Sequence, residues 1–494
     1  MRTIGIDLGI SAAHKAIVLD ERGKGITPTL RIASDPVDLA RLLDRAREGC
    51  QEGEPLRVVM EPTGLSWLPV ASYCIQRGVT VYLVNTQQVS ALRKLYSKHG
   101  KSDRISALIL ARLPWIHPEA LQPLELASGS SLSGQRWCKQ REELTERMTA
   151  IKNRVQAWER AFWPGLEEVV ENLFAPWVRR WRETWYNPWH LTRAETGEVI
   201  TFLIEVGADP EQAADLAVGL QEVARRAATL YGSLESGSSP YVDYSALQDQ
   251  VLRELRLLYF CEEELKAVGR QVRPVYRQQH PSRHLETIKG VGEEGAMTYL
   301  FFIGNVTRFE DQKAFRGWSG MVPRTDQSGD VDKKGLRVSK AGPDMVKKYA
   351  YINADVARQW DPQIAAIYYN QMVHKGKHHV QAVCCCATHL LDRVRAVLRD
   401  DRPYELQDVD GTPVTWQQAR AIIAERYHVP EEVRRRRRHR TRQERREQQA
   451  ERKRKRRSRP EPGKRLTPEH HLKHGLTSPH IDILQRKEPA VKPL

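Results

Sequence analysis

Several absences narrow what this chain can be. No apolar run approaches the roughly 18–20 residues that a membrane-spanning helix needs, so no transmembrane segment is expected. Charged Arg2 leads straight into a strand-like run, so no secretory signal is expected either. The 494 residues hold seven cysteines, three of them adjacent at Cys384–Cys386, with no Cys-x-x-Cys pair and no Cys/His spacing of the zinc-binding kind. That excludes a disulfide framework and points to a reducing, cytoplasmic compartment. His374, His378 and His379 lack Cys or acidic partners at ligand spacing, so the turn HKGKHHV reads as a basic loop rather than a metal site.

Positive charge is abundant and unevenly placed. The net charge is +16, and ten of those charges come from residues 431–458, where fifteen Lys or Arg face five Glu. A polyanionic partner and a nucleoid association are expected. Residues 429–494 read as a basic, low-complexity tail, largely disordered.

The first 125 residues alternate strand and helix patterns. TIGIDL (3–8), HKAIVLD (14–20) and Gly25–Ala33 read as strands. A helix follows from Asp35, with Asp35 as cap and Pro36 in the first turn. PLRVVMEPTG supplies a fourth strand ending at Glu61, Leu65–Arg77 a helix, TVYLVN a fifth strand, and Thr86–Tyr96 a third helix. The β-β-β-α-β-α-β-α order predicts a mixed sheet flanked by helices, with an RNase H-like or actin-like layout. An actin-like ATPase also needs a second phosphate loop and a Gly-Gly adenosine turn, and neither is present.

Three acids stand out in this region. Asp7 interrupts an apolar strand, Glu61 ends another, and Asp103 opens the helical run KSDRISALILARL. A carboxylate in a buried strand is costly unless paired or metal-bound. Two on adjacent strands call for a cation between them. Hard oxygen ligands of this kind suit Mg2+ or Mn2+. Taken singly, each acid could equally be a helix cap or half of an ion pair.

Residues 126–282 turn helical and charged. Trp137–Phe162 and Ser245 to about Val272 carry leucine-rich faces suited to a coiled-coil arm, either dimerising or spacing two domains. The tryptophans at 163, 177, 181, 185 and 189, close to Arg179, Arg180 and Arg182, could stack bases or pack a core. The region from 283 to 428 is mainly helical. It opens on Ile288-Lys289-Gly290-Val291-Gly292, a helix-hairpin-helix-like turn of the form that lays amides against a phosphate. The stretch 314–349 follows, with glycines at 317, 320, 329, 335 and 342. It carries Ser328 before Gly329, and the cations Arg324, Lys333, Lys334, Arg337 and Lys340, which together with Lys289 are candidate phosphate contacts. A hydroxyl on the Ser328 turn could stand beside such a phosphate, Ser339 is the rival for that place, and a plain glycine-rich loop is the alternative reading.

In order and wording, GIDLG with Asp7, MEPTG with Glu61, KSD with Asp103, and then IKGVG, FRGWSGMVPRTDQSG and RVSKAGP resemble the DEDD transposases of the insertion-sequence "one-ten" group, which includes the Piv-type invertases. The resemblance covers residues 1 to about 160 and 283 to about 400. It implies a RuvC-like (RNase H-like) domain whose acids fall on Asp7, Glu61 and Asp103, and a second domain whose serine nucleophile falls on Ser328. The family's fourth acid falls three residues after the third, where this chain has Ser106. The implied activity is DNA cleavage and rejoining through a covalent phosphoserine. The implied partners are element and target DNA, a structured non-coding guide RNA, and further copies of the chain in a homodimer or homotetramer. A magnesium-dependent junction nuclease, or an inactive nucleic-acid-binding derivative permitted by Ser106, are the alternatives.

Overall fold

The computed structural model describes residues 1–435, except residue 52, most of 85–102, residues 119–120 and parts of 323–340. The expected third helix, Thr86–Tyr96, and the basic tail fall almost entirely outside these residues.

Five strands, β1 (Arg2–Asp7), β2 (His14–Leu19), β3 (Leu30–Ile32), β4 (Leu56–Met60) and β5 (Thr80–Leu83), form one mixed sheet in the order β3-β2-β1-β4-β5. β1 pairs antiparallel with β2 and parallel with β4, and β4 pairs parallel with β5. The third strand is shorter than the sequence suggests: Leu30–Ile32 form a continuous ladder with β2, while Gly25 makes only an isolated bridge to Leu19. α1 (Pro36–Arg47) begins as expected, since Asp35 Oδ1 accepts from the amides of Val37 and Asp38. Together with α2 (Trp67–Ile75) it covers one face of the sheet, packing Leu39, Leu43, Val70 and Cys74 on Ile4, Ile6, Val58 and Met60.

The other face belongs to α3 (Asp103–Ile116). Alternation along β1 puts Thr3, Gly5 and Asp7 on that side. Gly5 is the contact point. A Cβ there would lie 2.1 Å from the Ala107 carbonyl oxygen and 2.4 Å from the Ala111 nitrogen, so only glycine lets the helix sit this low. Val59, level with Gly5 on β4, joins Ile109, Leu110 and Leu113 of the same helix. Near the other end of α3, the Trp115 ring lies 4.8 Å from the guanidinium of Arg57, which itself donates to Thr3 Oγ1. Residues 115, 111 and 107 thus meet β1 and β4 at successive levels from Thr3 to Gly5, so α3 runs antiparallel to the two strands.

α4 (Gly129–Phe162) and α10 (Tyr244–Gln279) form a long antiparallel pair within the chain. Ser131 bonds Gln279 at one end, Arg154 pairs with Glu254 further along, and the Tyr244 hydroxyl donates to the Phe162 carbonyl at the far end. Both helices extend beyond the expected spans, and α10 continues through Pro274. Between them lie α5 (Leu166–Val169), α6 (Pro176–Trp185), α7 (Pro188–Arg193), α8 (Thr196–Glu205) and α9 (Ala213–Tyr231). These build a separate core on the distal ends of the pair. Trp163, Trp181 and Trp189 are fully buried in it, so packing rather than base stacking accounts for them. Arg182 does not face solvent either: it makes two bonds, 2.5 and 2.7 Å, to buried Glu159.

The proximal end of the pair enters the C-terminal core, where Cys138, Val272 and Tyr276 join α11 (Glu293–Ile303), α12 (Gln312–Ser319), α13 (Asp344–Ala357), α14 (Pro362–Tyr369) and α15 (His379–Asp400). Cys386 is buried there as a small apolar residue. α16 (Trp416–Arg426) closes the described chain. Among the described residues no helix is long and apolar enough to cross a membrane.

Candidate active site

The register of β1 on β4 places Ile6 opposite Met60, so Asp7 and Glu61 follow at one level and leave the same edge of the sheet. Each continues the alternation of the residue two before it, Gly5 or Val59, toward α3. Asp7 is half-buried and Glu61 is buried. Lys15 stands directly across from Asp7 on β2. Because α3 runs antiparallel to β1, its first residue, Asp103, comes to this same edge, and the helix N-terminus adds positive potential there. The backbone therefore gathers all three sequence-marked acids. Ser106 lies one turn into α3 and is fully buried.

Among the described residues no three His, Cys, Asp or Glu side chains are close enough to hold a metal ion. The Asp103 side chain is outside that description. Asp7 and Glu61 nevertheless fit a divalent cation in type and place: two hard oxygen donors on adjacent parallel strands, facing one helix start.

Ser328 is carried differently. It ends β6 (Gln327–Ser328), which pairs antiparallel with β7 (Val331–Asp332), Ser328 opposite Val331. Among the described elements, these two strands pack substantially only on each other. Between α12 and α13 the chain on either side of the hairpin closes into a neck. A Cβ at Gly320 would lie 1.9 Å from the Ala341 carbonyl oxygen, and one at Gly342 would lie 2.3 Å from that of Trp318. Both glycines have positive φ, +70° and +77°, so two backbones touch where no side chain fits. The Ser339 amide donates to the Val322 carbonyl, and Ser339 Oγ accepts from the Ala341 amide. Ser339 thus ties the neck, while Ser328 lies on the hairpin. Arg324, Lys333, Lys334, Arg337 and Lys340 lie outside the described residues.

Lys289 is exposed, but its turn is not a symmetric helix hairpin. A 3-10 turn, His284–Thr287, precedes it, and Gly290 (φ +90°) presses on α13, where a Cβ would lie 2.5 Å from the Asn353 carbonyl oxygen. Gly295 abuts the Asn353 side chain, which donates to the Tyr299 hydroxyl. The glycines of this motif are explained by helix packing, leaving Lys289 free to point outward. Sequence reasoning missed Gly5, the Gly320/Gly342 neck and Asn353. A glycine inside an apolar strand was the one available signal for the first.

Comparison with known families finds a match in each half of the chain. A model of the IS110-type DEDD transposase matches residues 4–164, and the model described as "Transposase IS116/IS110/IS902 family" matches residues 282–369. The chain belongs to the IS110 transposase family. As an IS110-family member it is an enzyme of DNA transposition and recombination. It is 23% identical to the insertion element IS110 43.6 kDa protein of Streptomyces coelicolor, over 81% of this chain and 95% of that protein. It is 21% identical to the insertion element IS116 44.8 kDa protein of Streptomyces clavuligerus, over the same shares. A pilin gene-inverting protein of Moraxella bovis is 25% identical over 26% of this chain and 39% of its own length. In this IS110-family transposase the two matched segments carry the acid edge and the serine hairpin; α4 lies within the first, and the added core and α10 lie between them.

Proposed function

We propose that this transposase cuts and rejoins DNA through a covalent phosphoserine made by Ser328, in concert with an RNase H-like carboxylate site of Asp7, Glu61 and Asp103. The observation that carries the reading is the level placement of Asp7 and Glu61 on adjacent parallel strands, facing the start of α3. The serine hairpin, bounded by a glycine neck, supports it.

In the proposed step Ser328 Oγ attacks a backbone phosphorus, an Oγ–P bond forms, and the P–O3′ bond breaks. The serine's proton is balanced by the one the departing 3′ oxygen gains, which leaves a 3′-hydroxyl. Reversal by another 3′-hydroxyl reseals the strand without an external energy source. Asp7, Glu61 and Asp103 would hold Mg2+ or Mn2+, which supplies charge stabilisation at a scissile phosphate. Arg324, Lys333, Lys334, Arg337, Lys340 and Lys289 are assigned to DNA phosphates. The hairpin packs substantially only on itself among the described elements, which favours assembly of acids and serine from different copies of the chain in a homodimer or homotetramer. The antiparallel helical arm is the surface assigned to that assembly. Base reading is assigned to a structured guide RNA, since the chain has no zinc-finger spacing.

The test is adduct trapping. The parent protein, incubated with labelled element-end DNA and its flanking RNA in Mg2+, should leave DNA attached to protein on a denaturing gel, and Ser328→Ala should abolish the band. A Ser328→Ala protein that still cuts at the parental rate would establish hydrolysis by the carboxylates alone.

A further inference from the structure

A second basic site lies where α13 and α14 meet α16, formed in part by residues beyond both matched segments. A cavity of about 180 Å³ opens there, lined by Arg358, Arg420, Arg434, His428, Tyr368 and Tyr427 among others, and no carboxylate among the described residues lines it. The nearest acids have other engagements or positions. Asp355 bonds Arg358, Glu431 pairs with Arg435, and Glu425 and Glu432 are exposed on neighbouring turns. Aromatic faces flank the cavity on two sides. The Arg420 guanidinium lies 4.7 Å from the Trp360 ring, and Trp416 beside it is 52% exposed. On the other side Tyr427 meets Tyr369, which in turn meets His374 of the basic turn containing Lys375 and Lys377.

We infer that this cavity and its aromatic flanks bind a single-stranded stretch of nucleic acid, with a phosphate between Arg420 and Arg434 and bases against Trp416 and Tyr427. Planar guanidinium groups match phosphate oxygens, and exposed aromatic faces take unstacked bases of any sequence. A paired duplex hides those base faces, so the arrangement selects against it. The inference rests on this chain handling nucleic acid, not on the nucleophile being Ser328.

The experiment uses the full-length Ser328→Ala protein, so that binding is read without cleavage, and fluorescein-labelled single-stranded RNA, single-stranded DNA of the same sequence, and the matching DNA duplex. Arg420→Ala and the exposed Arg434→Ala should each weaken single-strand binding about tenfold, the scale of one lost stacking or phosphate contact. Duplex affinity should change less than twofold. Arg180→Ala, which removes one exposed charge from the added core, is the charge-matched control and should change neither. The RNA and DNA arms decide which strand is preferred. Photocrosslinks from 4-thiouridine or 4-thiothymidine should map to the peptides holding Trp416 and Tyr427. Equal loss on duplex and single strand, unchanged binding in both variants, or crosslinks confined to the tail would overturn the site. Failure of adduct trapping in an otherwise parental chain would overturn the phosphoserine reading and leave this one standing.

Discussion

Replacing Gly5 with alanine separates the fold argument from the chemistry. The added Cβ would sit 2.1 Å from the Ala107 oxygen, 2.4 Å from the Ala111 nitrogen and 2.7 Å from the Ala111 Cβ. Two of these three are backbone atoms, which cannot rotate away, so α3 must lift from the sheet. Overpacking a well-filled site costs about 1–3 kcal/mol, and unyielding contacts place this change near the upper end. For a unit of 150–250 residues that corresponds to a melting shift on the order of 6–12 °C. Lifting α3 also moves its start away from Asp7 and Glu61, and a misplacement of about 1 Å can cost on the order of 10²-fold in rate. The assays are a melting curve, hydrogen exchange of peptides covering residues 103–116, and DNA cleavage. Gly197→Ala is the control, because its Cβ meets nothing within 4 Å and it lies at the start of α8, where alanine is neutral or slightly stabilising. A Gly5→Ala protein that melts with the parent and exchanges its α3 amides at the parental rate would refute the packing of α3 on β1.

Three further outcomes are expected. Arg182→Met strands buried Glu159 without its partner and should cost about 3–5 kcal/mol, whereas adding Glu159→Leu should recover most of it in chemical denaturation, since a removed pair is tolerated better than a broken one. Burial holds the His280 imidazole below its ordinary value of 6.5, and its Nε2 accepts the Leu285 amide. The unfolded chain then binds the proton more readily, so stability is complete above pH 6.5 and declines as pH falls toward the folded value. His280→Gln should flatten that decline in denaturation curves taken from pH 7 down to pH 5. Ser106→Asp buries a new carboxylate at the fully enclosed position on α3, and should lower the melting temperature without Mg2+ and regain it when Mg2+ is added. A melting temperature indifferent to Mg2+ would remove position 106 from the acid edge.

Much of the N-terminal region was legible in the sequence because its signals are local. Short apolar runs mark β1, β2, β4 and β5, the Asp35-Pro36 step marks the start of α1, and acids inside or at the ends of such runs mark candidate site residues before any fold is known. The helical pair was legible from its leucine spacing, though its ends were not, since Gly129 and Gln279 are recruited by contacts with residues far along the chain. The tryptophans were undecidable from sequence, because stacking platforms and buried cores share one composition. Burial of Trp181 beside the Arg182–Glu159 pair is a tertiary result.

By itself, then, the sequence determined which residues are candidates for chemistry and in what order they come, because carboxylates, the serine and the strand and helix periods are properties of short segments. Only the tertiary structure decided that α3 runs antiparallel to β1 and so brings Asp103 to the edge of Asp7 and Glu61. That direction depends on Gly5 meeting Ala107 and on Arg57 meeting Trp115, contacts across about a hundred and about sixty residues of chain. It also decided that Gly320 and Gly342 form a neck and Gly290 a packing joint, since a glycine's purpose is set by the atom that approaches it, and that atom lies elsewhere in the chain.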